Sequence, residues 1–401
     1  MKNLCVKDEY TGARSDDGMT EKNFGPISGS AILKGIAGHQ AIVMAANVRI
    51  ATVAQGIFQA AKDTDSVVFM ELARSESDLK GGYTGMTPAV FAAKMQEAAQ
   101  RVKFGTWALH ADHITIKKGD APEVDGTKQL IDAQVDAGYT SFAIDASHIF
   151  NFEGKNVREE LSENIRVTTE LARHIKSRMN GREFGLEVEV GEIGRKDTDG
   201  LILTKPEEAV EFIRALNENG VYSDVIAIAN GSTHGHTYDA NGNVVAQLSI
   251  DIPRTKAIAQ ALRDNHLDVG IAQHGITGTP RDLINLHFPK GDIIKGNVGT
   301  FWQDVVFDVL KVFEPALYKS IQDWTLEKYR PLNPGKKDNQ VFDGNCKMAI
   351  KEFYKDIYAV SEETNQAIRA RAYAESLVFF RAFGAYRTAS FIKKSAGKKT
   401  P

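Results

Sequence analysis

The amino-acid sequence predicts an α/β fold: a (β/α)8 TIM barrel followed by a C-terminal helical extension. Three observations carry that prediction. Short apolar runs alternate with longer helix-periodic stretches from about residue 40 to about residue 310. Eight strands fit into that span, and buried parallel strands need crossover helices, so the units close into a ring. The turn after the first strand, ANVRIAT, lacks the glycines that a doubly wound dinucleotide-binding sheet carries there.

Taken in order, the strands fall at 41–46, 67–72, 106–111, 140–146, 184–190, 224–229, 269–273 and 292–295. Helical spacing of apolar residues fills 53–61, 88–102, 127–137, 157–179, 206–219, 253–263 and 280–286. Pro88, Pro206, Pro253 and Pro280 open four of these helices, where the missing N–H has no bond to lose. Gly138 and Gly220 sit where helices should stop. The barrel domain is assigned to 1–310, with a polar N-terminal segment over 1–37. Residues 311–401 form the extension, packed on the barrel or on a partner subunit. KMAIKEFYKDIYAV and ETNQAIRARAYAESLVFFRAF carry its helical spacing, and PLNPGKKDNQ reads as a loop.

Composition narrows the function. Hydrophobic residues make up 42% and charged residues 25%, enough for a core without staples. A formal net charge of -3 offers no basic field for nucleic acid. Cys5 and Cys346 are far apart and match no metal or redox spacing, so a reducing cytoplasm is the expected home. The first residues lack the apolar region of a secretory signal, and no run approaches the ~18 apolar residues of a membrane span.

The chemistry collects at the C-terminal ends of the strands, where a barrel of this kind carries its active site. Reading off those ends gives Asn47, Glu71, Asp112, His113, Asp145, Glu187, Glu189, Asn230, His234, His274 and Asn297. His113, His234 and His274 are the candidate metal ligands, since three neutral imidazoles around one cation leave positions open for substrate. Asp145 and Glu189 are counted with them as metal-binding carboxylates. His110 points one step earlier and is placed beneath the site. Asp112, beside His113, can shuttle a proton to a developing alkoxide. Glu187 and Glu189 share one face by the period-two rule, which demands a cation or a buried Lys or Arg partner. HGITGTP and KGNVGTFW supply phosphate cradles after strands seven and eight: Gly275, Thr277, Gly278 and Thr279 in one, Gly299 and Thr300 in the other.

At these residues the chain resembles the class II fructose-bisphosphate aldolase superfamily over about residues 38–305. The resemblance rests on Asn47–Val48, His110–His113, IDASH at 144–148, EVEVG at 187–191, ILTKPEEA at 202–209, STHG at 232–235, QHG at 273–275 and KGNVGT at 295–300. It implies metal-dependent, reversible cleavage of a ketose phosphate to dihydroxyacetone phosphate and an aldehyde, in glycolysis or related carbohydrate metabolism. It implies zinc or another divalent cation on His113, His234 and His274, Glu189 as an alternative metal position, and a monovalent cation near the phosphate. Asp112 takes the acid/base position, Asn297 that of the asparagine stabilising the enediolate, and Asp197 that of the proton donor on a mobile loop, with Glu192 a second match. Asn47, Gly235 and the two glycine-rich loops take substrate-binding positions, and a homo-oligomer is implied.

Two departures stand out. The aspartate that usually follows the asparagine by two residues is Gly299, and the C-terminal phosphate-binding arginine has no clear counterpart, VFDGNCKMAI running through its place, which leaves Arg369, Arg371, Arg381 and Arg387 as candidates to replace it. Residues 71–88, ELARSESDLKGGYTGMTP, resemble instead the accessory subunit of tagatose-bisphosphate aldolase, which implies a non-catalytic alternative. A metal-dependent hydrolase on the same barrel is a third reading, though such sites usually want more carboxylate bridges.

Overall fold

A computed structural model describes residues 24–397, apart from 152, 192–195, 198–199 and 234; the side chains of 196–197, 200–201 and 393–397 also lie outside the description. Eight short strands pair in parallel around a closed ring: β1 Val43–Asn47, β2 Val68–Ala73, β3 Trp107–Thr115, β4 Ser141–Asp145, β5 Gly185–Glu189, β6 Val225–Ala227, β7 Gly270–Gln273 and β8 Ile293–Val298. Each strand neighbours the next in sequence, and β8 closes on β1, as a right-handed βαβ series requires. All eight strands lie where the apolar runs predict them. The sixth is shorter than expected, and the third runs on to Thr115 past a bulge.

The outer layer comprises α2 to α8 in turn: Ala54–Asp63, Pro88–Val102, Ala121–Asp136, Ser162–Met179, Pro206–Glu218, Ile252–Asp264 and Arg281–His287. Caps explain their starts. Thr87, Asp120 and Asp251 accept from the backbone N–H three residues on, each with a proline in the first turn behind it. The helix predicted over 157–179 is instead one turn, Val157–Glu160, and then α5. The break falls at Leu161 (φ −91°, ψ 0°), whose side chain is buried in the core.

The N-terminal segment is not uniformly polar. Residues Gly29–Ile36 form α1, capped by Ser28, and bury Ile32, Leu33 and Ile36 against the lower interior of the barrel: Val43, Ala45, Phe69, Val225 and Ala272. This plug makes that end a packed floor. It was hidden because the segment is short and its apolar residues face a barrel interior rather than a sheet surface. A Cβ on Gly29 would lie 2.6 Å from Ser141 Cβ, so glycine sets how close the plug comes.

After β8 the extension runs through α9 Thr300–Phe313, α10 Pro315–Tyr329, α11 Asp338–Asn345, a 3-10 turn Cys346–Met348, two single-turn helices, α12 Glu362–Ala382 and α13 Thr388–Gly397. α12 lies on α2 and α9, and α13 on α1. The α2–α12 crossing is close because of Gly56: a Cβ there would lie 2.3 Å from the Arg369 carbonyl oxygen. Among the described residues no helix is long and apolar enough to cross a membrane.

Candidate active site

Period-two alternation brings polar side chains into the barrel in two tiers above its apolar floor. The lower tier centres on Lys295, fully buried. Its Nζ lies 2.8 Å from Glu187 Oε2 and 3.3 Å from Glu71 Oε2, and donates to Asn297 Oδ1 at 2.9 Å. Burial opposes ionisation of Glu187, but Lys295, His110 and His274 outweigh it and hold its carboxyl well below the usual range. Glu71 goes the other way. Burial, then Asp112, push it well above that range, against the pull of Lys295. His110 sits in this tier, Nδ1 2.8 Å from Ser141 Oγ; burial and Lys295 depress it to about 4, so the imidazole is neutral. Glu187 thus has the buried lysine partner that period two demanded, whereas Glu189 has none among the described residues.

The upper tier opens to the barrel mouth, and a bulge builds it. On β3 the step from Ala111 to Ile114 spans only Phe142 to Ile144 on β4, one residue extra, and His113 takes φ +36°. Strict alternation would send Asp112 and His113 to opposite faces; the bulge turns both inward. A non-glycine residue at positive φ costs about 1–3 kcal/mol, a strain typical of functional sites.

The nitrogens then converge. His274 Nε2 lies 2.7 Å from Glu187 Oε1, which fixes that nitrogen as the protonated one and leaves Nδ1 with its lone pair. His113 Nδ1 lies 2.7 Å from Glu189 Oε1 and 3.5 Å from Asp145 Oδ2, so carboxylates face that nitrogen and favour the proton there, with Nε2 turned to His274. Those two lone-pair nitrogens face one another at 2.8 Å. They repel unless a proton or a cation stands at their common focus. The carboxylates favour positive charge there: against burial, Asp112, Glu189 and Asp145 hold the His113 imidazolium well above its ordinary range. Glu189 Oε1 is buried without an aligned hydrogen-bond donor among the described residues. Ligand atoms of Asp112, His113 and His274 all lie within 4.8 Å of one another, as do those of His113, Asp145 and Glu189. Nitrogen and oxygen donors of this kind suit zinc or a neighbouring divalent cation. The residues present therefore fit a metal. His234, the third predicted imidazole, lies outside the described residues.

Asp112 is buried, which would raise it, but His113, His274 and Lys295 prevail and hold it below the usual carboxylate range. Asn297 Nδ2 donates to Asp112 Oδ1 at 3.1 Å and Glu71 Oε1 at 3.0 Å, so the predicted acid/base and the predicted amide are in direct contact. Asp145 accepts from Ser147 Oγ at 2.6 Å. Asp197 belongs to a two-residue antiparallel ribbon with Gly200–Leu201, and its side chain lies outside the description, as does Glu192.

The loops after β6 and β7 are stitched by Gln247, a residue with no motif to announce it. Its Oε1 accepts from Thr233 N and Oγ1, and its Nε2 donates to the Gly275 carbonyl and to Thr279 Oγ1. Gly275 takes φ +66°, and a Cβ there would lie 2.7 Å from the Thr233 carbonyl oxygen. Thr277 Oγ1 accepts from Phe301 N at 3.4 Å, joining the HGITGT loop to the start of α9 beside Gly299 and Thr300. Gly235 and Gly278 carry no side chain into that space. Asn47 lies across from Gly299; its Nδ2 donates to Glu76 Oε2 at 2.5 Å, and its buried Oδ1 has no donor among the described residues. Glu76 and Arg49, also in this corner, carried no signal beyond polarity near a strand end.

Other histidines lie elsewhere. His174 pairs with Asp132, His39 stacks on Phe391 and His236 pairs with Asp304. A cavity of about 1250 Å³ lies at the floor end around Lys34, Arg182 and Asp224, away from these groups.

Comparison with known proteins agrees with the geometry. The family model for class-II fructose-bisphosphate aldolases matches residues 28–366. A fructose-bisphosphate aldolase of Giardia intestinalis is 26% identical over 272 residues, 67% of this chain and 70% of that one. A 6-phospho-5-dehydro-2-deoxy-D-gluconate aldolase of Halalkalibacterium halodurans is 30% identical over 203 residues, 50% of this chain and 59% of that one. Among solved structures, the YdjI aldolase of Escherichia coli K12 has a TM-score of 0.58 at 16% identity, covering 90% of this chain and 98% of its own. A fructose-bisphosphate aldolase of Campylobacter jejuni has a TM-score of 0.57 at 17% identity, covering 91% and 97%. The structural likeness is one of fold.

Proposed function

The chain belongs to the class II fructose-bisphosphate aldolase family, and from that premise we propose that it cleaves a ketose phosphate, reversibly and with a divalent metal, to dihydroxyacetone phosphate and an aldehyde. One observation carries the reading: lone-pair nitrogens of His113 and His274 converge beside Asp112 at the barrel mouth, within 4.8 Å. His113, His274 and His234 would hold the cation, with Glu189 and Asp145 beside them. A divalent cation there supplies a Lewis acid for the substrate carbonyl.

The chain's own residues do the rest. Asp112, ionised and held by Asn297, takes the proton from the C4 hydroxyl as the C3–C4 bond breaks and returns it on condensation. The Asn297 amide, locked by Lys295 at its oxygen and bonded to Asp112 and Glu71 through its N–H groups, would turn the N–H released when Asp112 takes up its proton toward the negative charge developing on the substrate. Asp197, on the loop after β5, protonates the carbanion. Gly235, Gly275, Thr277, Gly278, Thr279, Gly299 and Thr300 hold the phosphate, with Asn47 beside them; Gln247 fixes their spacing. No lysine Schiff base is needed: Lys295, the buried lysine of the site, is engaged by Glu187 and Glu71. The resemblance also supports a cytoplasmic homo-oligomer and a monovalent cation near the phosphate.

The test is a coupled assay for dihydroxyacetone phosphate from fructose 1,6-bisphosphate, with and without a chelator. Cleavage that stops with chelator and returns with zinc or cobalt supports the reading. Metal-replete protein that cleaves no ketose phosphate overturns it in favour of an accessory subunit.

A further inference from the structure

The bulge at the end of β3 aims Asp112 and His113 into the barrel, and something has to hold it against the strain of His113 at φ +36°. Released, the strand returns to regular alternation, which sends one of the two side chains to the outer face. An extra residue also disrupts the ladder, so the carbonyls around it need donors from elsewhere. Two of them, His113 O and Thr115 O, are met from the turn after β2.

Arg74, the first residue past β2, meets both. Its backbone N–H donates to His113 O at 3.3 Å, and its Nη1 donates to Thr115 O at 2.7 Å. The other Nη1 hydrogen goes to Thr127 Oγ1 on α4, at 2.9 Å. Thr127 gives its own proton to Glu123 O at 2.7 Å, so its oxygen is left to accept, and its burial fixes that oxygen in place. Thr115 Oγ1 lies 3.1 Å from His113 O and 3.2 Å from Asp145 Oδ2, so its one proton serves the same bulge. No carboxylate stands within ion-pair distance of Arg74 among the described residues; its charge is spent on a backbone carbonyl and a hydroxyl.

One side chain thus ties three consecutive βα units together at the point where the backbone is strained. Arg74 belongs to residues 71–88, the stretch whose resemblance pointed to a non-catalytic chain. In this fold that stretch supports the residues at the mouth.

We propose that Arg74 is a positioning residue for Asp112 and His113: its guanidinium, seated on Thr115 O and Thr127 Oγ1, latches the end of β3 in the bulged form that turns both side chains inward. It acts through the backbone it holds. The latch rests on the proposed function only for its consequence, metal affinity; the geometry it fixes is present in the metal-free protein.

The test compares full-length parent protein with Arg74→Met, Arg74→Lys and Thr127→Val. Arg173→Met serves as control, because it removes an arginine bond to a loop carbonyl, Asn219 O, at the floor end. Chelator-treated proteins with labelled histidine rings are read first by NMR. The His113 and His274 rings, with centroids 4.4 Å apart, should give a cross-peak in the parent and in Arg173→Met. Arg74→Met should lose it, and Thr127→Val should weaken it. Zinc affinity is then measured by competition with a chelator. Loss of a charge-assisted bond should weaken it about tenfold in Arg74→Met. Arg74→Lys, which keeps a charged donor for Thr115 O, should lose less, and Arg173→Met nothing. A cross-peak that survives Arg74→Met, zinc affinity unchanged in that variant, or an equal loss in Arg173→Met would each overturn the latch. If Arg74→Met does not fold, Thr127→Val decides, because it keeps the cation and removes one of its seats: an unchanged cross-peak there overturns the latch. A parent that shows the cross-peak but binds no zinc counts against the metal reading, and the NMR comparison still decides the latch.

Discussion

Replacing Lys295 by methionine removes the cation at the centre of the lower tier while keeping most of its apolar stem. Lys295 is fully buried, 2.8 Å from Glu187 and 3.3 Å from Glu71. Taking one partner out of a buried pair costs about 3–5 kcal/mol, because the remaining charge has no water to turn to. With about 2.1 cal/mol/K of unfolding entropy per residue over 401 residues, that loss corresponds to a melting point about 4–6 °C lower. The pH dependence follows from the direction of each shift. Glu187 is held below its unfolded range, so its pairing stabilises above about pH 4.5 and is lost as pH falls through the folded value. Lys295 is held above its unfolded range, so its contribution is complete below about pH 10 and is lost only above that. The penalty of Lys295→Met should therefore be full at pH 8 and shrink below about pH 4.5, where Glu187 can protonate. Calorimetric melting of both proteins at the two pH values measures it, and Lys295→Met/Glu187→Gln should recover most of the loss at pH 8. A drop under about 1 °C at pH 8, or the same drop at both pH values, would refute the account of this tier.

Asp112→Ala should lower kcat by about 10²–10⁴-fold while metal content stays near that of the parent, checked by elemental analysis beside the coupled assay; a near-full rate removes Asp112 from the mechanism. His274→Ala should lose both bound metal and activity, and retained metal would show that the nitrogens converge for some other reason. Burial and Asp145 push the Glu189 carboxyl up to about 7. Between about pH 4.5 and 7 the folded, metal-free protein holds a proton there that the unfolded chain has lost, so this group makes it less stable as pH rises through that window. Glu189→Gln should flatten that slope in melting curves of chelator-treated protein; an unchanged slope contradicts it.

Much of this was legible beforehand, for physical reasons. Eight parallel strands buried on both faces leave short apolar runs that no other arrangement explains well, and strand-end polar residues mark the mouth. Period two placed Glu187 and Glu189 on one face correctly, but it could not say that Lys295 takes only one of them, because that depends on register across the ring. The same rule applied to β8 would have put Lys295 and Asn297 on one face. The bulge at Asp112–His113 was invisible: nothing in ALHADHI announces an extra residue, since the turned backbone is held by its surroundings and not by a glycine. Arg49, Glu76 and Gln247 were missed because each acts across long sequence separations, with ordinary neighbours on either side.

The close crossing at Gly56 bears on how the chain matures. The first helix of the ring packs against backbone near Arg369 and Tyr373, about 300 residues downstream. At about 10 residues per second, a ribosome takes roughly half a minute to deliver that partner after α2 has emerged. During that interval the first βα unit has an uncovered apolar flank, and β1 still awaits β8 to close the ring. A chain stopped before residue 362 would lack that cover, and should be cut by a protease faster than the full chain rather than stand as a smaller working barrel.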